Sequence, residues 1–367
     1  MKSLIKPTIK HFYYLLLLFL EASILVLLVA LVYNMISMPR LKTTFYLPHS
    51  DVKTIMKTLN EHGYPTHKID KYVLKHINTL PKKGWYTLDG EAEGRFAFFN
   101  HLYSKRAKTI EIELFAGETS TELTRRLAND LDLNQTLLLK RYKNLTIFKE
   151  GDLLAGRYVI SRNIDENTTM NYLFKVSDAK LTTLTNHYLG ARPTKKELQK
   201  LLTIASVIQK ESHTPKEMPL IASVIYNRLK KNMRLQMDGT LNYGAYAHTI
   251  ITSDRIKTDN SLYNTYKHKG LPPTPLSTVS VEALESACRP KKTNYLFFML
   301  NTNGTHTFTT TYNEHLKKVH TFKTELRKTK NAKKMLDTNI SWKSNTHSIQ
   351  TPNEVIKIIE TNLTPSE

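Results

Sequence analysis

The chain has 367 residues, 40% of them hydrophobic, with one cysteine and a formal net charge of +21 at pH 7. That length allows two or three domains and a sizeable core, and the lone Cys288 excludes an intramolecular disulfide. The positive charge is spread along the whole chain and favours polyanions such as nucleic acid, anionic lipid or acidic wall polymers, although a general lysine bias of the source would produce it equally.

Phe12 to Tyr33 is apolar except for Glu21 and Ser23. As a helix at ~1.5 Å per residue it spans about 33 Å, enough for a bilayer core. Lys2, Lys6 and Lys10 precede it, so a cytoplasmic N-terminus over 1–11 and an uncleaved anchor over 12–36 are expected, with the remainder outside from about Arg40. The Asn34–Pro39 stretch is a poor cleavage site for a signal peptide. Glu21 is costly at that depth and marks either a helix partner or a tolerated carboxyl.

Thr43–Leu47 reads as a strand, and Ser50 is placed to cap a helix running to Asn60 and ended by Gly63. The order recurs: a strand over Thr109–Phe115, a turn at Gly117–Ser120, and an amphipathic helix over Thr121–Leu131 with Leu123, Leu127 and Leu131 on one face. A third strand is expected at Arg157–Ser161 and a helix over Thr168–Asp178. These make a small α+β module.

Leu198–Arg228 forms the centre of the second half: two apolar helices around a polar elbow. Leu201, Ile204, Ala205 and Ile208 recur at helical spacing, and Glu211, seven residues after Ile204, continues their face. A carboxyl group there is either solvated surface, the usual place of an acidic residue near a helix end, or buried at a helix C-terminus. In the buried case, burial and the helix dipole both disfavour its charged form, and a carboxyl that stays protonated near neutrality suits a general acid. Glu217 lies in Thr214-Pro215-Lys216-Glu217, which has capping-box spacing, so it is expected to reach back to the cap. Pro219 fits such a helix poorly, and the helix start can instead fall near Met218. Leu220, Ile221, Val224, Ile225 and Leu229 form the apolar side of the second helix. Asp238-Gly239 is a turn, and Tyr243, Tyr246 and the stretch Ser261–Tyr266 lead into Gly270-Leu271-Pro272-Pro273. Tyrosines interleaved with amides and hydroxyls suit a sugar, and ordinary loop packing is the equal alternative. Ser280 caps a helix ending before Pro290. Tyr295–Leu300, a turn at Asn303-Gly304 and Thr305–Thr310 form a hairpin, and a helix from Tyr312 to about Lys323 closes the domain.

The segments IASVIQKES, IASVIYNRL, MRLQMDGT, LYNTY, GLPP and THTFTTTYNEH occur in this order, and together they resemble the endolytic murein transglycosylases, the MltG-like (YceG-like) family. The resemblance is strong from about Leu198 to Lys323 and weaker from Thr43. It implies an α+β fold class: a single N-terminal transmembrane helix, a small LysM-like α+β module over 43–155 and a mixed helix/strand catalytic domain over 156–325; the basic tail over 326–367 lies outside the resemblance and reads by composition as a partly flexible extension. The resemblance places the catalytic role on Glu211 and the lining of the cleft on Tyr226, Asn227, Gln236, Asp238, Tyr263, Asn264 and Tyr266. Gly239 stands where the family usually has proline.

The implied reaction is cleavage of the β-1,4 bond between N-acetylmuramic acid and N-acetylglucosamine within peptidoglycan strands, closing a 1,6-anhydro ring, with no cofactor and no metal. The expected location is the inner membrane, single-pass, with the catalytic domain periplasmic. Peptidoglycan glycan strands and the cytoplasmic membrane are the implied partners, wall-synthesis enzymes are candidates, and nucleic acid is not expected. Rival chemistries lack their companion motifs: Ser-x-x-Lys occurs at Ser50–Lys53 and Ser177–Lys180 without Ser-Asp-Asn or Lys-Thr-Gly, and His-Glu-x-x-His is missing. The alternative is a non-catalytic, membrane-anchored scaffold that binds glycan or synthesis enzymes.

Overall fold

A computed structural model describes residues 5–337 apart from 78, 91–92, 163, 213 and 302–303. The expected turn residue Asn303 and most of the basic extension lie outside the described residues. The architecture is α+β. In chain order it runs α1 (Ile5–Met35), β1 (Lys42–Leu47), α2 (Val52–Glu61), α3 (Lys68–His76), β2 (Gly84–Asp89), α4 (Arg95–His101), β3 (Thr109–Leu114), α5 (Ser120–Leu131), α6 (Gln135–Leu145), β4 (Gly156–Ser161), α7 (Glu166–Leu189), α8 (Lys195–Glu211), α9 (Met218–Lys230), α10 (Ser253–Thr258), α11 (Val281–Cys288), β5 (Phe297–Leu300), β6 (His306–Thr309) and α12 (Tyr312–Asp337). The described strands pair as β1–β2, β3–β4 and β5–β6. The chain divides into two compact units. The first runs to Glu111 and includes Val159–Ile164; the second takes Ile112–Tyr158 and the chain from Asp165 onward.

In α1, residues His11–Met35 are long and apolar enough to cross a membrane. The described side chains are exposed nearly all round, as suits a helix with a continuous apolar surface. In the first unit β1 and β2 are antiparallel, with Thr44 opposite Thr87. The alternation of β1 turns Phe45 and Leu47 into a core shared with Ile55, Leu59 and Leu74. The cap of α2 is Asp51 rather than Ser50: Asp51 Oδ1 accepts from Thr54 N at 2.9 Å, while Ser50 Oγ donates to Pro81 O at 2.7 Å. Both types suit an N-cap, and here Ser50 is engaged by the loop that precedes β2.

A buried ion pair joins α3 to α4. Arg95 donates from Nε to Asp70 Oδ1 at 2.7 Å and from Nη2 to Asp70 Oδ2 at 2.8 Å. Tyr33 and the His67 N–H also donate to Asp70. Burial alone would raise the Asp70 carboxyl; the bonds from Arg95, Tyr33 and His67 outweigh it and hold the carboxyl below its ordinary range.

In the second unit, α5 opens with a capping box between Thr119 and Glu122. α7 is longer than the expected Thr168–Asp178: Asp165 caps it, and it ends at Gly190, whose φ of 79° is the left-handed cap conformation that glycine adopts freely. The core is built from α8 and α9, with Ile204, Ala205, Ile208, Ile221, Val224 and Ile225 fully buried and α11 packed on both helices. The capping-box reading of Glu217 is corrected. α9 begins at Met218, and Glu217 makes no side-chain cap. Its carboxylate instead accepts from His306 N at 2.6 Å and pairs with His306 Nδ1 at 2.8 Å, fastening the start of α9 to β6. Pro219 at the second helical position is compatible with a helix that begins there. β5 and β6 form the expected hairpin, with Phe298 opposite Phe308. Ser280 caps α11, accepting from Ala283 N at 3.1 Å.

Candidate active site

The site lies in the second unit, where the C-terminal turn of α8 meets the loop that follows α9. Glu211 is the last residue of α8, carried there by the face that buries Ile204 and Ile208. Its side chain is half-buried. The carboxyl is fixed from one side: Oε1 accepts the main-chain N–H of Gly239 at 2.6 Å, and Oε2 has no hydrogen-bond partner among the described residues. Gly239 is the second residue of a short 3₁₀ turn, Asp238–Leu241, and its N–H is one of the donors such a turn leaves unpaired at its start. The approach is tight. A Cβ on residue 239 would lie 2.6 Å from Lys210 Cβ and 2.8 Å from Glu211 Oε1.

Burial pushes the Glu211 carboxyl up to about 8, and the neighbouring Asp238 charge pushes in the same direction; the Gly239 bond and the Arg228 charge oppose them. Crowding by protein atoms and a like charge therefore keep a proton on Glu211 near neutrality. Asp238 is raised by its own burial, against a hydrogen bond from Tyr266; the Tyr266 hydroxyl donates to Asp238 Oδ1 at 2.6 Å. Next to Glu211 in sequence, Lys210 donates from Nζ to Gly117 O at 2.8 Å, and its burial lowers its pKa. This bond pins the last turn of α8 to the β3–α5 turn.

The remaining expected cleft residues divide by what their polar groups touch. Tyr226 donates its hydroxyl to Ala287 O at 2.6 Å, and Asn227 Nδ2 donates to Thr293 O and Tyr295 O, both at 2.9 Å. All three bonds run from α9 to the main chain around α11 and β5. Asn264 is fully buried; its Nδ2 donates to Ile256 O at 2.8 Å and Asp259 O at 2.7 Å, and its Oδ1 accepts from Tyr266 N at 3.1 Å. It therefore sets the shape of the loop that carries Tyr266. Gln236 is exposed between buried Leu235 and Met237. Its φ is 47°, uncommon for a residue with a side chain, and its N–H donates to Thr265 O at 3.2 Å. Tyr263 stacks on Tyr243 with ring centroids 4.2 Å apart and planes 12° apart, and its hydroxyl pairs with Thr274 Oγ1 at 2.7 Å. The structure thus gathers Glu211, Asp238 and Tyr266 at one point and uses Tyr226, Asn227 and Asn264 to tie the neighbouring segments together.

Two contributors were not singled out from sequence. One is the Gly239 N–H, a main-chain group with no side-chain signature. The other is Arg228, which is buried in α9 with Nε donating to Leu296 O at 2.6 Å and Nη1 to Leu235 O. It lies seven residues after Ile221, so the face argument that selected Glu211 selects it too. Among the described residues, no group of three or more His, Cys, Asp or Glu is placed to hold a metal ion.

Comparison with known proteins places these residues in context. The YceG-like family profile matches residues 47–321. The chain is similar to the endolytic murein transglycosylase of Bacillus subtilis (strain 168), 33% identical over 218 residues, covering 59% of this chain and 57% of that protein. It is similar to the endolytic murein transglycosylase of Streptococcus pneumoniae serotype 2 (strain D39 / NCTC 7466), 29% identical over 277 residues, covering 71% of this chain and 46% of that protein. The chain spans about half the length of these curated relatives. A 2.6 Å crystal structure of a yceG-like protein from Listeria monocytogenes is 26% identical with a TM-score of 0.48, covering 76% of this chain and 99% of that one.

Proposed function

The chain belongs to the YceG-like family, and on that premise we propose that it is a membrane-anchored endolytic transglycosylase of peptidoglycan with Glu211 as its acid and base. The observation that carries the reading is the state of Glu211: a carboxyl at the end of α8, raised to about 8 and held through Oε1 by Gly239. The names of the relatives supply the substrate class.

The chemistry follows from the carboxyl. With Oε1 accepting from Gly239, the proton of the neutral acid sits on Oε2, the oxygen without a protein partner among the described residues. Oε2 donates that proton to the glycosidic oxygen between N-acetylmuramic acid and N-acetylglucosamine as the C1–O bond breaks. General-acid assistance of this kind contributes roughly 10²–10⁴-fold. The resulting carboxylate then takes the proton of the muramic acid C6 hydroxyl while that oxygen bonds to C1. A 1,6-anhydro end forms, Glu211 is protonated again, and no water is consumed. One carboxyl serves both steps, whereas hydrolytic glycosidases use two. The Gly239 N–H favours the transient carboxylate, and Asp238 favours the neutral acid. Their opposition keeps both states within reach. The stacked Tyr243–Tyr263 pair and Gln236 are the surfaces proposed to receive the sugar rings and hydroxyls, with Asp238 and Tyr266 orienting the substrate.

The proposed organisation is a cytoplasmic start over 1–11, an inner-membrane anchor over 12–36, a LysM-like segment over 43–155, a catalytic segment over 156–325 outside the cytoplasm and a basic extension over 326–367. α1 is compatible with such an anchor. In the wall the activity would terminate or trim nascent strands, with synthesis enzymes as candidate partners. The test is the product of the full-length protein on purified peptidoglycan. Mass spectrometry should find new 1,6-anhydro ends inside long strands. New reducing ends would indicate a hydrolase, and no new ends would favour a glycan-binding scaffold.

A further inference from the structure

The end of α1 is tied into the first unit by side-chain contacts. Tyr33, two residues before the end of α1, donates its hydroxyl to Asp70 Oδ1 at 2.6 Å. Asn34 Oδ1 accepts from Phe96 N at 3.2 Å, and Gly94 lies so close that a Cβ there would sit 2.4 Å from the same oxygen. Asp70 and Arg95, locked to each other in the core, are therefore anchored where α1 ends, and so are the first turns of α3 and α4 that carry them.

The neighbours of these locked residues are exposed. Ile69 is 53%, Tyr72 65% and Phe96 53% exposed. Asp70 and Leu74 occupy the buried face of α3, while Ile69 and Tyr72, three residues apart, share its outer face. Lys68, Lys71 and Lys75 are exposed on the same helix, with Lys68 and Lys75 four and three residues from Tyr72 and hence beside it. Large apolar side chains flanked by lysines are the composition of a surface that enters the headgroup region of a bilayer, with the apolar groups reaching the acyl boundary and the ammonium groups meeting lipid phosphates. Tyr72 adds an amphipathic ring suited to that depth.

We propose that Ile69, Tyr72 and Phe96, with Lys68, Lys71 and Lys75, seat the first unit on an anionic bilayer surface beside the point where α1 enters it. The proposal rests on reading α1 as a membrane anchor. Continuity with α1 and the sign of the charge both point to lipid as the occupant. The contact makes the anchor a fixed mount rather than a tether, because Tyr33–Asp70 and Asn34–Phe96 stop the unit from swinging about the end of the helix.

The test uses the full-length chain in phosphatidylcholine vesicles with and without phosphatidylglycerol. Single fluorophores are placed by Tyr72→Cys, Phe96→Cys, Val26→Cys and Lys231→Cys in a Cys288→Ala background, and nitroxide lipids are the quenchers. The Val26 label reports the anchor and the Lys231 label reports solvent. The Tyr72 and Phe96 labels should be quenched at least about threefold more than the Lys231 label on anionic vesicles, and Lys68→Glu/Lys71→Glu/Lys75→Glu should remove most of that difference. A quenched Val26 label with Tyr72 and Phe96 labels as open to solvent as Lys231 overturns the docking and leaves the anchor standing. An unquenched Val26 label overturns the anchor and the docking with it. Equal quenching at Tyr72 with and without phosphatidylglycerol overturns the requirement for anionic lipid.

Discussion

Gly239 donates its main-chain N–H to Glu211 Oε1 at 2.6 Å, and any Cβ at position 239 would fall 2.8 Å from that same oxygen. The residue is thus both a donor to the proposed acid and a gap that lets the loop approach it. A hydrogen bond to a charged group contributes about 1.5–3 kcal/mol, or roughly 10- to 100-fold. Gly239→Ala should lower kcat by about that factor, because the methyl group must push Glu211 or Lys210 aside. Gly239→Pro removes the N–H as well, so the Glu211 carboxyl should rise further. The alkaline limb of the kcat/KM profile should then move to higher pH, which a loss of folded protein alone would not produce.

As the proposed acid, Glu211 must be protonated to act first, and its carboxyl is raised to about 8. Activity should therefore fall as pH rises through about 8, and Asp238→Asn, which removes a like charge, should bring that fall to lower pH. Linkage gives a second reading of the same shift. Glu211 binds its proton more tightly folded than unfolded, so it costs stability progressively from its ordinary value of 4.5 up to about 8. Glu211→Gln should accordingly gain stability over the parent across that interval, measured as denaturant midpoints at a series of pH values.

The Asp70–Arg95 pair carries the opposite sign. Asp70 is lowered in the fold, so its stabilising effect is present above the unfolded carboxyl range and is lost as pH falls through the folded value. Asp70→Asn leaves a buried guanidinium without its charge partner and should cost roughly 3–5 kcal/mol, whereas replacing both residues by apolar ones should cost less. Hydrogen exchange in α3 and α4 would locate the loss in the first unit.

Glu217 offers a contrast with Glu211 six positions before it. Its carboxylate joins the start of α9 to His306. Glu217→Ala should destabilise the protein by about 1–3 kcal/mol through the unpaired groups it leaves. The pH dependence of activity should stay where it was. A shifted pH profile would place Glu217 in the reaction.

The two central helices were legible because α8 and α9 bury a helical stripe of residues such as Ile204, Ile208, Ile221 and Ile225, and Glu211 interrupts that stripe in step. The role of Glu217 lies beyond capping rules, which are local, because its partner is 89 residues away in the chain. α3 and α4 escaped notice because polar residues, Asp70 and Arg95, occupy part of their buried faces and hide the period that marks a helix. Asp51 and Ser50 were equally good caps by type, and only the Ser50–Pro81 contact decides between them. At the site, the place of Glu211 at the end of the α8 stripe could be read from spacing. Its main-chain donor at Gly239 and the bracing bonds of Asn227 and Asn264 depend on loops whose paths no short pattern encodes.

The most direct test of the central claim is the rate at which Glu211→Gln releases 1,6-anhydro-ended strands from purified peptidoglycan, measured by mass spectrometry on protein shown by circular dichroism to be folded. Glutamine keeps the size of the side chain and an acceptor for Gly239 but cannot give up a proton to the glycosidic oxygen, so the rate should drop by roughly 10²–10⁴-fold. Release at the parental rate would contradict the assignment of Glu211 as the acid.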